Sequence, residues 1–191
     1  MFFQKNSITP DVSIEETEKT LKSEGIHLLI GDIEEDTVGP CIEWILEHNK
    51  LVFPKREFLQ IYLSTSGGNF ADGFALIDVI RASEIPIHIH GIGGVSSTGI
   101  FILSAGERGY RTVSPFCTGT AHHISLHAGG TFHEHAAISQ ELKASHELLL
   151  QFLLETTGIE EMVINRKLLG PNDNFLVASD FIQLGIADKI K

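Results

Sequence analysis

Short apolar runs alternate with longer helical patterns along most of the chain. Runs at residues 26–30, 59–63 and 85–89 predict strands, and shorter candidates follow at 111–113 and 124–126. The spacing of apolar residues predicts helices over 37–48, 70–83, 98–105, 138–157 and 160–169. Strands that alternate with helices are typical of βαβ units, so the expected fold class is α/β with a mainly parallel sheet.

Length and the early polar stretch predict the domain organisation. The 191 residues suffice for one domain with a substantial core. The first 25 residues are mostly polar and include Pro10, which favours an N-terminal arm or short helix ahead of a domain over 26–191.

Charge and composition narrow the function classes. A net charge of −11 argues against nucleic acid as a partner, because phosphate binding needs a basic surface. We expect no signal peptide and no membrane span, since neither a long apolar N-terminal region nor a run of ~20 apolar residues occurs. Cys41 and Cys117 lack disulfide-framework spacing, which favours two free thiols and a cytoplasmic location.

Two small-residue turns follow predicted strands. The segment 91–99, Gly-Ile-Gly-Gly-Val-Ser-Ser-Thr-Gly, places serines at the turn into a helix, where a hydroxyl nucleophile can be exposed. The segment 64–68, Ser-Thr-Ser-Gly-Gly, can bring bare backbone N–H groups close to a reacting carbonyl oxygen. Each turn taken alone is equally typical of close packing between a helix and a sheet.

These motifs together resemble the proteolytic subunits of the Clp protease family, from about residue 26 to residue 190. The family has Ser-Pro-Gly-Gly where this chain has Ser-Thr-Ser-Gly-Gly, and Ala-Ser-Met-Gly-Ala where it has Ser-Ser-Thr-Gly-Ile. The resemblance implies a crotonase-like α/β fold and a serine peptidase. Ser97 would be the nucleophile, and the N–H groups of Gly68 and Thr98 would form the oxyanion hole.

The third member of the implied triad is Asp173. The family's catalytic aspartate opens the segment Asp-Arg-Phe-Leu-Ser-Ala, and residues 173–178 here read Asp-Asn-Phe-Leu-Val-Ala. Residues 185–190, Gly-Ile-Ala-Asp-Lys-Ile, then match the family's Gly-Leu-Val-Asp-x-Ile ending. Without the resemblance, Asp173 would be interpreted as a turn residue after Pro171.

Two histidines compete for the role of general base. The segment 124–130, Ile-Ser-Leu-His-Ala-Gly-Gly, fits the family's apolar-x-apolar-His followed by Gly-Gly and selects His127. An ungapped count from Ser97 selects His122 instead. The base should follow a strand, and Thr118-Gly119-Thr120 is a poor strand sequence, so the prediction is His127.

The resemblance also predicts assembly and partners. It implies two stacked rings with about fourteen subunits, an N-terminal arm over 1–25 at the axial pore, a handle helix over about 131–157, an AAA+ unfoldase partner, and no metal or organic cofactor. Large apolar residues nearly encircle the C-terminal part of the long helix, which agrees with a buried interface. These residues are Leu148, Leu149, Leu150, Phe152, Leu153 and Leu154.

Three alternatives stay open from the sequence. A crotonase-type acyl-CoA hydratase would use oxyanion donors near Gly68 but would leave Ser97 and Asp173 unexplained. An inactive ring subunit is compatible with the uncertain histidine. A metal site is suggested by five histidines at positions 122, 123, 127, 133 and 135, but they form no His-Glu-x-x-His motif. The chain also departs from the family at Ser66, where proline is usual, and over residues 20–25.

Overall fold

A computed structural model describes residues 14–50, 56–124 and 131–191 of the chain. The strands in these ranges are Ile26–Ile30 (β1), Leu59–Thr65 (β2), Ile87–Val95 (β3), Arg111–Val113 (β4), Thr118–Ala121 (β5), Asn174–Val177 (β6) and Lys189–Ile190 (β7). The helices are Ile14–Ser23 (α1), Glu35–Lys50 (α2), Phe70–Ala82 (α3), Thr98–Ser104 (α4), Phe132–Thr157 (α5), Glu161–Lys167 (α6) and Ala178–Gln183 (α7). No helix among these is long and apolar enough to cross a membrane.

The main sheet is parallel and has the order β1-β2-β3-β4-β7. Near its carboxyl end, β3 also pairs at Gly94 with Thr118 of β5, and β5 pairs antiparallel with β6. Alternate residues of β2 are buried, which puts one face of the strand into the core and leaves the other face partly exposed. The α/β class with a mainly parallel sheet and packed helices is therefore confirmed.

The predicted elements agree with the structure except at three places. Strand β3 continues to Val95 instead of ending near residue 89, because its glycine-rich end still pairs with β2 and β4. Helix α5 begins at Phe132, one residue later than the 131 that the resemblance implies and earlier than the 138 that the apolar spacing predicts, because Thr131 and Glu134 form a capping box. Residues Thr118–Ala121 form strand β5 although Thr-Gly-Thr is a poor strand sequence, because pairing with β6 outweighs its weak strand propensity. The candidate strand at 124–126 lies largely outside the described residues.

A buried ion pair lies at the β4–β7 edge of the main sheet. The Arg111 guanidinium donates from Nε to Asp188 Oδ2 at 3.0 Å and from Nη2 to Oδ1 at 2.6 Å. The side chains are only 4% and 17% exposed, respectively. Arg111 Nη1 also donates to the carbonyl of Thr156 at 2.9 Å, where α5 ends. One cation therefore links β4, the start of β7 and the carboxyl end of α5.

The carboxylate of Asp188 also has several other partners. The backbone N–H groups of Gly109 and Arg111 donate to Oδ2 at 2.7 and 3.0 Å. Partial burial alone would raise the pKa of Asp188, but the hydrogen bonds from Arg111 and Gly109, together with the Arg111 charge, hold that pKa below its usual value. These contacts give the aspartate of the Gly-Ile-Ala-Asp-Lys-Ile ending a structural role, which is to anchor the C-terminal segment.

We predict that Asp188→Asn lowers the free energy of unfolding by about 3 kcal/mol at pH 7, because Arg111 stays buried without its counter-charge. The folded pKa lies below the unfolded value of about 3.9, so this contribution is present above that pH and is lost as the pH falls through the folded pKa. Urea unfolding of both proteins from pH 7 down to pH 3 measures the difference. Asp78→Asn, on the exposed face of α3, is the control. Equal stability of Asp188→Asn and the unmodified protein at pH 7 would contradict the anchoring role.

Candidate active site

Ser97 occupies a strained turn between β3 and α4. Its φ of +51° and ψ of −123° make it the one non-glycine residue with positive φ in the described part of the chain. Such backbone conformations cost about 1–3 kcal/mol and persist only where the surroundings fix them. Ser97 stands at the N-cap of α4, yet its side chain makes no capping hydrogen bond. The hydroxyl is thus not used to begin the helix.

Neighbouring strands hold this turn in place. The N–H of Ser97 donates to the carbonyl of Thr120 at 2.8 Å, and the N–H of Thr120 donates to Ser96 Oγ at 2.9 Å. The N–H of Ser96 donates to the carbonyl of Thr65 at 3.0 Å. Ser96 therefore joins the ends of β2 and β5, and these bonds supply the restraint that the strained conformation needs.

The Gly67-Gly68 turn packs directly against the serine. A Cβ at Gly67 would lie 2.5 Å from Ser97 Cβ, and one at Gly68 would lie 2.3 Å from the carbonyl oxygen of Ile33. Both glycines also have positive φ, +107° and +147°, which side chains rarely tolerate. Only glycine at both positions lets the two turns approach this closely.

Backbone N–H groups of the two turns are candidate oxyanion donors. The amides on either side of Gly68 are already hydrogen-bonded, that of Gly67 to Thr65 Oγ1 and that of Asn69 to the carbonyl of Ile33. Thr98 is the first residue of α4, so its N–H has no acceptor within the helix. Thr98 Oγ1 donates to the carbonyl of Gly68 at 3.1 Å and ties the two turns together.

A cavity of about 400 Å³ opens beside these turns. Ser97, Gly68 and Thr98 line it together with residues of α3, α4, α5 and the segment after β5. The remaining lining residues are Asn69, Phe70, Ala71, Phe101, His122, His123, Ile124, Glu141 and Ser145. The volume and the mixed apolar and polar lining suit a small molecule or one side chain of a larger ligand.

The structure brings His122 to the cavity that contains Ser97, whereas His127 lies outside the described residues. Strand β5 ends at Ala121 and leads directly into His122, so the strand argument against His122 was wrong. The last pair of the antiparallel ladder joins Ala121 to Asn174. If the ladder continued by one residue in the same register, His122 would pair with Asp173. Asp173 itself is exposed, just before β6.

The hydrogen bond of the His122 ring defines its tautomer. Nδ1 lies 2.8 Å from the carbonyl oxygen of His123. A carbonyl oxygen only accepts, so Nδ1 carries the hydrogen and Nε2 of the neutral ring has a free lone pair. This is the tautomer that a general base of the serine-hydrolase type requires. In this arrangement the N–H at Nδ1 is given to a backbone carbonyl rather than to Asp173.

Other candidate nucleophiles and ligand sets are weaker. Cys41 and Cys117 are free and buried, and burial raises the pKa of their thiols to about 12 and about 11. Thiolates are therefore scarce at neutral pH. No group of three or more His, Cys, Asp or Glu side chains that could hold a metal ion occurs in residues 14–50, 56–124 and 131–191.

The sequence analysis missed several cavity residues. Glu141 and Ser145 come from α5 and Phe70 from the start of α3, more than 25 positions from Ser97 in either direction. Helical spacing assigns such residues to a helix but does not show which of them reach a distant turn. The one local signal is Asn69, whose Oδ1 accepts hydrogen bonds from the amides of Ala71 and Asp72 and caps α3 beside the cavity.

Comparisons with known proteins support the crotonase-like Clp fold that the resemblance implies. The profile of the family described as Clp protease matches residues 13–191. The ATP-dependent Clp protease proteolytic subunit 2 of Rhodococcus jostii (strain RHA1) is 25% identical over 139 residues, which cover 72% of this chain and 69% of the relative. The ATP-dependent Clp protease proteolytic subunit 2 of Corynebacterium glutamicum is 27% identical over 137 residues, which cover 72% of this chain and 67% of that relative.

Proposed function

Because the chain belongs to the Clp protease family, we propose that it is a serine-type endopeptidase with Ser97 as its nucleophile. The observation that carries the proposal is the strained Ser97 turn, held against two glycines in the wall of a cavity that His122 shares. A strained serine between a strand and a helix costs stability, and such strain clusters at active sites. The alternative of an acyl-CoA hydratase gives that serine no role.

The reaction proceeds in two acyl-transfer steps. Ser97 Oγ attacks the peptide carbonyl carbon as His122 Nε2 takes the hydroxyl proton. The N–H groups of Gly68 and Thr98 bind the oxyanion that forms, each contributing roughly 3 kcal/mol to transition-state stabilisation. The C–N bond then breaks as the imidazolium returns its proton to the leaving amine. Water, deprotonated by the same ring, hydrolyses the acyl-enzyme and regenerates Ser97.

The choice of base changes from His127 to His122 once the geometry is considered. His122 lines the cavity with Ser97, follows β5 directly and would pair with Asp173 if the β5–β6 register continued by one residue. Asp173 is proposed to accept the Nδ1 hydrogen and to stabilise the imidazolium. For it to do so, the His122 side chain must turn from the carbonyl of His123 towards the carboxylate.

We predict that Ser97→Ala abolishes labelling by a fluorophosphonate probe and lowers peptide cleavage by at least about 10⁴-fold, because no other hydroxyl can form the acyl-enzyme. Mass spectrometry of the labelled protein identifies the modified residue. Ser179→Ala, exposed on α7, is a suitable control and keeps wild-type labelling. Ser96→Ala is unsuitable, because Ser96 Oγ accepts the Thr120 amide that restrains the turn. An unmodified protein that neither reacts with the probe nor cleaves peptides would favour the inactive ring subunit.

A second prediction separates the two histidines. His122→Ala lowers turnover by about 10⁴-fold, since an unassisted serine hydroxyl is a weak nucleophile at neutral pH. His127→Ala has a much smaller effect. Steady-state kinetics with a small fluorogenic peptide measure both variants under the same conditions. The reverse ranking would restore His127 as the base and would show that the β5–β6 register does not identify the catalytic histidine.

We also propose that the chain assembles into stacked rings that enclose the active sites. In the C-terminal half of α5, Leu149, Phe152 and Leu153 are buried in the chain's own core. Leu148 on the same helix is 62% exposed, and Leu154 is exposed as well. Large exposed leucines on a helix that already packs on one side are typical of a subunit interface. The family's ring-to-ring contact would cover them.

The proposed unfoldase partner has a candidate surface on the open face of the sheet. His88 stacks between Phe58 and Tyr110, with ring centroids 4.3 and 4.1 Å apart, and both outer rings are exposed. Leu28 and Ile30 expose further apolar area on β1. Exposed apolar and aromatic area of this kind is expected to bind a partner protein.

Light scattering tests the assembly. We predict a particle of roughly 290 kDa, about fourteen chains of 21.0 kDa each, for the unmodified protein. Leu148→Glu reduces this mass to that of one ring or less, because a carboxylate in an apolar interface loses its hydration. Gln183→Glu adds the same carboxylate at an exposed position of α7 and leaves the mass unchanged. A stable 21 kDa monomer that cleaves peptides would rule out the chamber but not the nucleophile.

A further inference from the structure

A second pair of histidines adjoins the site and has no role in the reaction described above. The ring of His123, which lines the cavity and directly follows His122, stacks on the ring of His146 from α5. The ring centroids are 5.3 Å apart and the planes differ by 12°. His146 is adjacent to Ser145, which also lines the cavity. The stack therefore joins the segment after β5 to the long helix across the wall of the site.

Backbone pairing between β5 and β6 stops just before His122, the proposed base. The β5–β6 ladder ends at Ala121, one residue ahead of His122. After it, the N–H of His123 donates to the carbonyl of Gly170 at 3.2 Å, a long hydrogen bond. His123 Nδ1 lies 2.8 Å from the carbonyl oxygen of Ile124, a local contact. Side-chain contacts with α5 add a further restraint on this segment.

The face of the His146 ring is what provides that restraint. Its Nδ1 is buried and has no hydrogen-bond partner among the residues that the structure describes. No hydrogen bond through that atom fixes the ring, so its orientation rests on packing and on the stack with His123. A buried polar atom without a partner is unfavourable, which makes an imidazole here a poor choice for packing alone.

We propose that His146 is a positioning residue that, by stacking on His123, holds the segment bearing His122 at the distance from Ser97 that proton transfer requires. The inference rests on the proposed function. Displacement of a catalytic group by about 1 Å can lower a rate by about 10²-fold, so a contact next to the base has a large effect. A positioning role predicts a fall in kcat with little change in KM, because substrate contacts stay in place.

The test compares substitutions of similar size that keep or remove the stack. His146→Leu fills the site without an aromatic face and lowers kcat for a small fluorogenic peptide by about 10–100-fold, with KM within about twofold. His146→Phe restores the stack and most of kcat. His123→Leu resembles His146→Leu, and the double variant is no worse than either single one, because both remove the same contact. His135→Leu, exposed earlier on α5, has wild-type kcat.

Hydrogen exchange read by mass spectrometry gives a measurement that does not depend on catalysis. In His146→Leu the segment 118–124 exchanges faster than in the unmodified protein, whereas the core strand Leu59–Thr65 does not change. If His146→Leu shows this faster exchange but the unmodified protein never cleaves peptides, the stacking contact between His146 and His123 is supported and only the proposed function is overturned. Wild-type exchange and wild-type kcat in His146→Leu, or multiplicative losses in the double variant, would overturn the inference.

Discussion

The site depends on a backbone approach that is too close for any side chain. The Gly67-Gly68 turn lies against Ser97 and Ile33 at distances where a single added carbon atom would overlap them. That approach brings the candidate oxyanion amide of Gly68 and the serine hydroxyl into one cavity. It also fixes the strained Ser97 backbone, since the space into which the turn could relax is already occupied. The rest of the fold holds these two turns together.

Several strands of the sheet hold these two turns in place. Strands β2 and β3 end at the two turns, and β5 crosses behind them so that Thr120 accepts the Ser97 amide. The buried Arg111–Asp188 pair lies at the β4–β7 edge of the same sheet. Arg111 also donates a hydrogen bond to the carboxyl end of α5. Helix α5 in turn lines the cavity through Glu141 and Ser145.

Most of the fold could be predicted from the sequence, and the reason lies in the strength of its local patterns. Strands such as β1 and β2 are short, apolar and bounded by turns, and α3 shows helical spacing and an N-cap. Strand β5 could not be predicted, because Thr-Gly-Thr-Ala has no strand pattern and is stabilised by pairing with β6, more than 50 residues later. Its Gly119 is required by tertiary contact: a Cβ there would lie 2.1 Å from the carbonyl oxygen of Val95.

Non-local pairing also bears on the choice of histidine. Reasoning from strand propensity selected His127, whereas β5 leads directly into His122, and one further step of the β5–β6 register would pair His122 with Asp173. The resemblance supplied Ser97, Gly68, Thr98 and Asp173 from local motifs, but the base could be chosen only from the geometry that joins them. In the described arrangement the His122 Nδ1–H is bonded to a neutral carbonyl. Exchanging that partner for the Asp173 carboxylate would replace a neutral hydrogen bond with a charge-assisted one, which is roughly twice as strong.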